Sequence, residues 1–291
     1  DYIYANIILK QINKILKKKR DHLMRHEPNR EPQFYVTAPQ KCPYIKGKIE
    51  RKLFTALYGR NTVNLNDELS LQGFRRSQKV LYRPLCSNCS ACLSIRVKVN
   101  EFYYSKSQNR VINKNKKLIR VKKKPEATDE QFEIFKKYLN CRHLNGGMSD
   151  MDAHEFSSMI EETNVDSEIF EYWELKKDEN KQLVAVCLTD KNKDGLSMVY
   201  SFYDPKYNSQ SLGKFMILDH INLTKSRGLD YLYLGYWIRG NSKMGYKSNY
   251  FPAEVFYKNQ WKEISNKNIE KFDLNSGQKF PNIQKNSNLE S

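Results

Sequence analysis

Apolar and polar side chains alternate in several short stretches of the chain, and this alternation predicts β-strands. The clearest stretch is residues 93–99, Leu-Ser-Ile-Arg-Val-Lys-Val, where every second side chain is apolar and a half-buried strand is expected. Three more strands are predicted in the second half of the chain, at 169–175, 183–189 and 196–203. Residues 231–237 are apolar or aromatic almost throughout, which predicts a fully buried strand.

Helices are predicted where apolar residues recur at helical spacing. Such runs predict helices over 130–140, near 152–163 and over 211–227, and Gly228 then serves as the C-cap of the last helix. Strands and helices therefore mix along the chain. We expect an α+β protein with a mixed sheet.

The order of elements in the second half resembles one known fold. Strands, a long helix and then a buried strand resemble the GCN5-related N-acetyltransferase (GNAT) fold, in which two parallel strands splay and an acyl donor meets an amine at the gap. Ligands of open α/β sheets bind at the carboxyl ends of strands, which points to Tyr203, Asp204 and residues 235–237. Residues 207–213 lack the glycine-rich spacing of a pyrophosphate loop, so a coenzyme A donor is not expected.

The charge of the chain favours a polyanionic partner. The chain has 50 Lys and Arg against 33 Asp and Glu, a net charge of +17, and RNA or DNA are the first candidates for a partner of such a protein. Residues 106–124 hold nine Lys or Arg and no acidic residue. They form either a solvated basic helix or a face that contacts phosphates. No apolar run is long enough to span a membrane, so no membrane partner is expected.

Composition divides the chain into four segments. We expect a basic N-terminal extension over 1–33, an N-terminal domain over 34–125, a C-terminal GNAT-like domain over 126–274 and a disordered tail over 275–291. The expected fold class is therefore an α+β, GNAT-like mixed-sheet domain plus a smaller N-terminal domain with a cysteine loop. Clustered thiols in a chain of this size favour the cytoplasm, where they stay reduced or bind metal.

The cysteine loop reads Cys-Ser-Asn-Cys-Ser-Ala-Cys, with thiols at Cys86, Cys89 and Cys92. Thiolates at this spacing can converge on one soft metal centre, and Cys42, brought near by folding, would supply a fourth ligand. Three alternatives stay open for these cysteines: an iron–sulfur cluster, a structural zinc ion, or a loop of free thiols without metal.

A set of short motifs runs through residues 34–262. They are Cys-Pro-Tyr-Ile-Lys-Gly-Lys-Ile-Glu-Arg-Lys at 42–52, Gly-Phe-Arg-Arg-Ser at 73–77, Tyr-Arg-Pro at 82–84, the cysteine loop, Phe102, Ser105, Ser107, Gln108, Arg110, Phe-Tyr-Asp-Pro at 202–205, Ser-Leu-Gly at 211–213, Tyr-Leu-Gly-Tyr-Trp-Ile at 233–238, Lys243-Met244 and Tyr246-Lys247. In combination they resemble the arginyl-tRNA–protein transferase family, and within it the bacterial leucyl-tRNA–protein transferases. The chain departs from the family at Gln78, where Gly is expected, and at Lys46, where Pro is expected.

The resemblance implies a reaction. An aminoacyl-tRNA would donate its amino acid to the α-amine of a protein that begins with Asp or Glu, and the product would enter N-end-rule degradation. The bacterial type of the first motif favours leucine as the donated residue, with arginine as the alternative. No cofactor is required for this transfer, although the iron–sulfur clusters described in some eukaryotic relatives keep the metal alternatives open. The rival interpretation is an RNA-binding module without catalysis.

The acidic acceptor would need a cationic pocket. Arg75, Arg76, Arg83 or Lys243 would form it through charge-assisted hydrogen bonds. Asp204 is the candidate that orients or deprotonates the amine, and the alternative is that it opens a turn. Its neighbour Tyr203 is the second catalytic candidate. An α-amine with a pKa of about 7.7–8.0 is already partly neutral, so positioning can supply much of the rate.

The donor tRNA would be held by the remaining motif residues. Backbone N–H groups near Ser211, Leu212 and Gly213 are candidates for binding the oxyanion or the terminal ribose. Candidates for stacking on the terminal adenine are Tyr203, Tyr236 and Tyr246, with core packing as the alternative for Tyr236. By their place in the motifs, the other substrate-binding candidates are Ser105, Ser107, Gln108, Arg110 and Lys247.

Overall fold

The computed structural model describes residues 32–59, 61–142, 151–176, 180–241, 243–265, 268, 272–274 and 277. The α-helices in these residues are α1 (Thr62–Leu71), α2 (Lys106–Asn115), α3 (Asp129–Arg142), α4 (Ala153–Glu161) and α5 (Leu212–Ser226). The strands are β1 (Phe34–Val36), β2 (Gln40–Lys41), β3 (Ile49–Glu50), β4 (Lys52–Ala56), β5 (Arg75–Ser77), β6 (Val80–Pro84), β7 (Cys92–Lys98), β8 (Ile119–Lys123), β9 (Ser167–Leu175), β10 (Lys181–Asn192), β11 (Gly195–Tyr203), β12 (Tyr231–Ile238), β13 (Ala253–Tyr257) and β14 (Gln260–Ile264). Short 3-10 helices lie at Val99–Glu101, Pro205–Gln210 and Gly245–Asn249.

Most of the longer strands belong to one eight-stranded sheet. Its order is β14-β13-β7-β12-β11-β10-β9-β8, and the pair β11 and β12 is parallel, whereas the other neighbours are antiparallel. A four-stranded sheet, β1-β4-β6-β5, and the small pair β2-β3 are built from the chain that precedes residue 85. The large mixed sheet with its helices confirms the predicted α+β class.

The large sheet draws strands from both sides of residue 125, the expected domain boundary. β7 and β8 precede this residue, yet β7 lies between β13 and β12, and β8 pairs with β9. The division into domains at 34–125 and 126–274 stays a prediction, and the sheet itself does not separate there. The expected extension over 1–33 and tail over 275–291 lie outside the described residues, apart from 32, 33 and 277.

The core fills both faces of the large sheet. α5 packs on one face, and α3 and α4 pack on the other, where the rings of Phe135 and Phe202 meet edge to face at 5.3 Å. Cys187 of β10 belongs to the first cluster, and its neighbours Val186 and Leu188 belong to the second. This split is expected because successive side chains of a strand point to opposite faces.

The predicted strands and helices of the second half are confirmed, with shifts of a few residues at their ends. β9 to β12 and α3 to α5 match them, and Gly228 follows α5 with a left-handed φ of +67°. Within the described residues, no helix has both the length and the apolar character needed to cross a bilayer.

The strand predicted at 93–99 is confirmed, but it is buried on both faces and not on one. β7 is a central strand, and even its polar Arg96 is buried. The guanidinium of Arg96 lies between the rings of Tyr231 and Trp261, at 3.6 and 4.1 Å from their centres. It also pairs with Glu254 at 2.8 Å. An arginine that looks solvent-facing in the sequence is thus a core residue with its own partners.

Residues 106–124 do not form one helix. α2 ends at Asn115, where the N–H of Leu118 donates to the carbonyl of Asn115 at 3.0 Å. Residues 119–123 then extend as β8, an edge strand that pairs with β9. The solvated-helix alternative is therefore wrong for the second half of this segment, because Ile119 and Val121 follow the period of a strand.

Candidate active site

Two parallel strands separate near the middle of the large sheet. β11 and β12 pair with each other only over residues 195–197 and 231–233. Both strands continue beyond these pairs, β11 to Tyr203 and β12 to Ile238. A gap therefore opens between their carboxyl-terminal halves, at the edge where ligands of α/β sheets bind.

The side chain of Arg75, from β5, lies in this gap. Its Nη2 donates to the carbonyl oxygens of Met198 (3.3 Å) and Val199 (3.1 Å) on β11. On the other side, the guanidinium lies against Gly235 of β12, and its Cζ is 6.0 Å from the centre of the Tyr236 ring. Arg75 thus bridges the two strands beyond the point where they pair with each other.

Gly235 makes room for this guanidinium. A Cβ atom at Gly235 would lie 1.2 Å from Nη1 of Arg75 and 2.0 Å from its Cζ, far inside van der Waals contact. Gly235 also has a φ of +78°, a conformation that favours glycine, and the register of β12 against β7 shifts next to it. This role was not predicted from the sequence, although an isolated glycine in a strand is a known sign of a bulge or a close approach.

Arg76, the next residue of β5, is turned into the protein. It is buried in a bidentate ion pair in which Nε and Nη2 each donate to a carboxylate oxygen of Asp190 at 2.6 Å. Its Nη1 donates to the carbonyl of Gln78 at 3.0 Å, and Ser167 donates its hydroxyl to Asp190 at 2.7 Å. These contacts tie β5 to β10, so the structure does not bring Arg76 to the gap.

The other two predicted cations also lie outside the gap. Arg83 faces a cleft of about 230 Å³ that Tyr236 also lines. Its Nη1 donates to the carbonyl of Gln72 at 2.9 Å, and burial lowers the pKa of Arg83. Lys243 is exposed. Of the four cations predicted from the sequence for this pocket, Arg75 is the one whose contacts span β11 and β12.

Asp204 follows β11 directly and begins the 3-10 helix Pro205–Gln210. Its carboxylate accepts the backbone N–H of Lys206 at 2.9 Å, and the residue is buried. Tyr203 donates its hydroxyl to the side-chain oxygen of Asn208 at 3.2 Å. Both candidates therefore lie at the carboxyl end of β11. The turn that was predicted as the alternative role of Asp204 is present. A catalytic role of Asp204 would therefore come in addition to its hydrogen bond with the N–H of Lys206.

α5 begins beside the same turn. Ser211 has a left-handed φ of +57°, and its side chain does not cap the helix, so the Ser211 hydroxyl accepts none of the backbone N–H groups in the first turn of α5. A Cβ atom at Gly213 would lie 3.6 Å from the ring of Tyr203, whereas Leu212 is buried. Residues 211–213 and Tyr203 are thus neighbours.

The three tyrosines predicted to stack on adenine differ in exposure. Tyr236 is buried and donates its hydroxyl to two backbone carbonyls at 3.2 and 2.9 Å, and burial raises its pKa far above the usual range. Tyr203 is also buried, whereas Tyr246 is exposed. Lys247 is buried and donates its Nζ to the carbonyl of Tyr236 at 2.8 Å. Tyr236 therefore packs in the core, which leaves Tyr246 as the accessible ring of the three.

The candidates from the Ser-Gln motif lie at the start of α2. Ser105 and Gln108 form a capping box, in which each side chain accepts the backbone N–H of the other. Gln108 also donates to the carbonyl of Asn249 at 3.1 Å. This bond joins α2 to the 3-10 helix Gly245–Asn249. Ser107 and Arg110 are exposed. Ser105 and Gln108 thus shape the helix start, and the other two face solvent.

Residues 106–124, here named the basic segment, combine α2 and β8. Lys114 and Asn115 donate to backbone carbonyls of the 3-10 helix Pro205–Gln210 at 2.8 and 2.9 Å. Of the nine cations in the segment, two form ion pairs with acidic residues elsewhere in the described chain. The basic segment therefore runs from the edge strand of the large sheet to the turn at the carboxyl end of β11.

The four predicted cysteines converge on one small pocket. Cys42, Cys86, Cys89 and Cys92 line a space of about 30 Å³ together with Lys52 and other residues, and burial raises the pKa of the Cys42 and Cys86 thiols. Among the described residues, however, no three His, Cys, Asp or Glu side chains are close enough to hold one metal ion. The four thiols share a pocket, but their arrangement in it does not form a metal site. The iron–sulfur cluster and the structural zinc ion stay predictions.

Comparison with known proteins gives consistent matches. Residues 40–110 match the family model "Arginine-tRNA-protein transferase, N terminus", and residues 130–257 match "Arginine-tRNA-protein transferase, C terminus". The chain is 53% identical to an aspartate/glutamate leucyltransferase of Cereibacter sphaeroides over 83% of this chain and 86% of the relative. It is also 53% identical to one of Ruegeria pomeroyi, over 83% of this chain and 88% of the relative. The solved structure of FemX is far more remote, with 10% identity over 73% of this chain and 71% of that chain and a TM-score of 0.45, and supports no conclusion.

Proposed function

The chain belongs to the arginine-tRNA-protein transferase family, and we propose that it transfers leucine from leucyl-tRNA to the N-terminal α-amine of proteins that begin with Asp or Glu. Its relatives bear the name aspartate/glutamate leucyltransferase. The products would be substrates of N-end-rule degradation. Because aminoacyl-tRNA is a cytoplasmic substrate, the proposal also places the protein in the cytoplasm, as its cysteine usage predicts.

The observation that carries this proposal is the gap between β11 and β12. In the GNAT fold, which the order of elements resembles, an acyl donor and an amine meet between two splayed parallel strands. Here the strands pair only over residues 195–197 and 231–233. The ester of leucyl-tRNA and the acceptor amine would meet at this opening, at the carboxyl ends of the strands.

The chemistry is the aminolysis of an ester. The α-amine attacks the leucyl carbonyl carbon and forms the new C–N bond, the C–O bond to the terminal ribose breaks, and the amine proton ends on the ribose oxygen. Asp204 would hold or accept the proton of the amine from the end of β11. Backbone N–H groups in the first turn of α5, near residues 211–213, would stabilise the oxyanion of the tetrahedral intermediate.

The basic segment is the proposed binding face for the tRNA. α2 contacts the 3-10 helix that begins after Asp204, so an acceptor stem bound along α2 would end close to the gap. The exposed ring of Tyr246 is the best placed of the predicted tyrosines to stack on an unpaired base. Because lysines and arginines that bind phosphates release counterions, the affinity for tRNA should fall steeply as salt rises.

Transfer of a radiolabelled amino acid to an Asp-initiated peptide tests the proposal. The purified chain is mixed with tRNA charged separately with leucine or with arginine, and labelled peptide is expected from leucyl-tRNA. Label from arginyl-tRNA alone would establish arginine as the donor. Folded protein that binds tRNA but labels no peptide from either donor would overturn the enzyme and favour the RNA-binding module.

A further inference from the structure

Two neighbouring arginines on β5 have opposite electrostatic surroundings. Arg76 is buried against the carboxylate of Asp190, which neutralises it. Arg75 forms no ion pair with any acidic side chain of the described chain, and its hydrogen bonds go to the carbonyls of Met198 and Val199. Backbone carbonyls carry only partial charges, so no acidic side chain of the described chain neutralises the half-buried Arg75 guanidinium.

Part of the Arg75 guanidinium is left to bind a ligand. Nη2 makes both carbonyl contacts, whereas Nε and Nη1 donate to no acceptor among the described residues. Nη1 lies directly against the backbone of Gly235, with no side chain between them. A carboxylate that entered the gap would accept charge-assisted hydrogen bonds from these nitrogens, and the partial exclusion of water would strengthen them.

The place of this cation matches the shape of the acceptor. In an N-terminal Asp or Glu, a short carbon chain joins the carboxylate to the reacting amine, so the two groups must bind close together. Arg75 lies between β11 and β12, where the amine would react, whereas Arg76 faces β10 and Lys243 is exposed. On the basis of the proposed function, we infer that Arg75 binds the side-chain carboxylate of the acceptor's first residue and thereby selects acidic N-termini.

The geometry also makes Arg75 a selective binder and not only an attractive charge. Two carbonyls on β11 and the close approach of Gly235 on β12 fix the guanidinium, so little side-chain freedom is lost when an acceptor binds. An N-terminal Asn has nearly the shape of Asp without its charge. Comparing Asp-initiated with Asn-initiated peptides therefore isolates recognition of the carboxylate.

The variant Arg75→Gln tests this role. With leucyl-tRNA as donor, the ratio of kcat/KM for Asp-initiated over Asn-initiated peptide should fall about 100-fold, because the charge-assisted bonds are lost only for Asp. The KM for leucyl-tRNA should not change. Arg51→Gln removes an exposed arginine outside the site and should leave the ratio at the wild-type value. An unchanged ratio in folded Arg75→Gln would overturn the inference and make Arg75 a structural wedge between the strands.

A measurement on the unmodified protein covers the case in which Arg75→Gln does not fold. An arginine-selective dicarbonyl reagent modifies exposed guanidinium groups, and mass spectrometry reports which arginines have reacted. A saturating Asp-initiated peptide should slow the modification of Arg75 several-fold, an Asn-initiated peptide should not, and Arg51 should react equally in both. Equal modification of Arg75 with both peptides would overturn the inference.

Failure of this inference and failure of the proposed function give different results. If the wild-type protein labels no peptide from either charged tRNA, the proposed function is wrong, and Arg75 has no acceptor to select. If the wild type transfers leucine to Asp-initiated peptide and Arg75→Gln keeps the full preference for Asp over Asn, only the assignment of Arg75 is wrong.

Discussion

The arginines of β5 and β6 and the cations of the basic segment carry positive charge in opposite ways. The arginine cluster is defined as Arg75, Arg76 and Arg83. Each of its guanidinium groups has specific hydrogen-bond partners, which are the Asp190 carboxylate for Arg76 and backbone carbonyls for the other two. In the basic segment, nine cations follow one another along 106–124 with no acidic residue among them. The first arrangement depends on individual contacts, and the second depends on the sum of many charges.

The two regions should therefore respond differently to substitution and to salt. A buried charge has lost its water and depends on one partner, so removing that partner has a large effect that salt hardly screens. An exposed cation stays hydrated, and it acts on a polyanion together with its neighbours. Removing one exposed cation should therefore change the affinity for a polyanion only slightly, and this change should become smaller as the salt concentration rises.

The largest effect is expected from breaking the buried ion pair. Arg76→Met leaves the Asp190 carboxylate buried without its guanidinium, so the free energy of unfolding should fall by about 3–5 kcal/mol. Urea denaturation followed by circular dichroism measures it. In the double variant Arg76→Met/Asp190→Leu much of the stability should return, because no unpaired charge remains. A loss of less than about 1 kcal/mol in the single variant is typical of a surface pair. It would contradict the claim that the Arg76–Asp190 pair depends on its burial.

Protonation offers a second test of the buried region. His220 on α5 is fully buried between Thr189 and the carbonyl of Met216. Burial lowers the pKa of His220 to about 4, although the nearby Asp219 carboxylate opposes the shift. In the unfolded chain the imidazole has a pKa of about 6.5, so the unfolded state takes up the proton first as the pH falls. Stability is therefore lost between about pH 6.5 and about pH 4, by about 3 kcal/mol from this group.

A matched pair of histidine variants isolates that contribution. Urea denaturation at about pH 7 and about pH 4.5 gives the pH-dependent part of the unfolding free energy. His220→Gln should remove most of the contribution assigned to His220, and His154→Gln, at an exposed position of α4, is the matched control variant. Identical pH profiles for wild type and His220→Gln would show that the imidazole is not held neutral by burial.

Asp204 lies between the two regions, at the turn that joins the gap to α2. Asp204→Asn keeps an oxygen that can accept the N–H of Lys206 and removes only the negative charge. If Asp204 orients or deprotonates the amine, kcat should fall about 100-fold at unchanged stability. Asp129→Asn, at an exposed position of α3, should keep full activity. Full activity in Asp204→Asn would restrict Asp204 to its role in the turn.

Sequence periodicity predicted most elements of the large sheet but not their order. β9 to β12 and α3 to α5 each present a regular apolar face to the core, so local spacing is sufficient to find them. The central place of β7 depends on its pairing with β12 and β13, which are distant in the chain. That pairing buries Arg96, and nothing in the alternation of residues 93–99 could reveal it.

The motifs located the candidate site, but they could not distinguish its arginines. Arg75 and Arg76 are adjacent in one motif, and successive side chains of a strand point to opposite faces. One of the two therefore had to face away from the gap, but the choice depends on how β5 lies against β10 and β11. Gly235 belongs to a motif of the same site, and its role is visible only once the guanidinium of Arg75 is placed against it.

The smallest individual effects are expected in the basic segment. Lys117 is exposed and follows the end of α2. If it contacts a tRNA phosphate, Lys117→Gln should weaken the binding of leucyl-tRNA only a few-fold at physiological salt, and should lower the slope of log affinity against log salt by about 0.7–0.9. The KM for the acceptor peptide should stay the same, because the proposed binding site of the amine is the gap and not the basic segment.

Adding substitutions turns this small effect into a decisive one. Lys116→Gln and Lys123→Gln, combined with Lys117→Gln, should each subtract a similar amount from the salt slope, since exposed charges on one polyanion act almost additively. Lys191→Gln, at an exposed position of β10, should leave the slope unchanged. A triple variant with the wild-type slope would show that the tRNA binds elsewhere. The basic segment would then be a solvated surface, and the contrast with the arginine cluster would be one of burial and not of function.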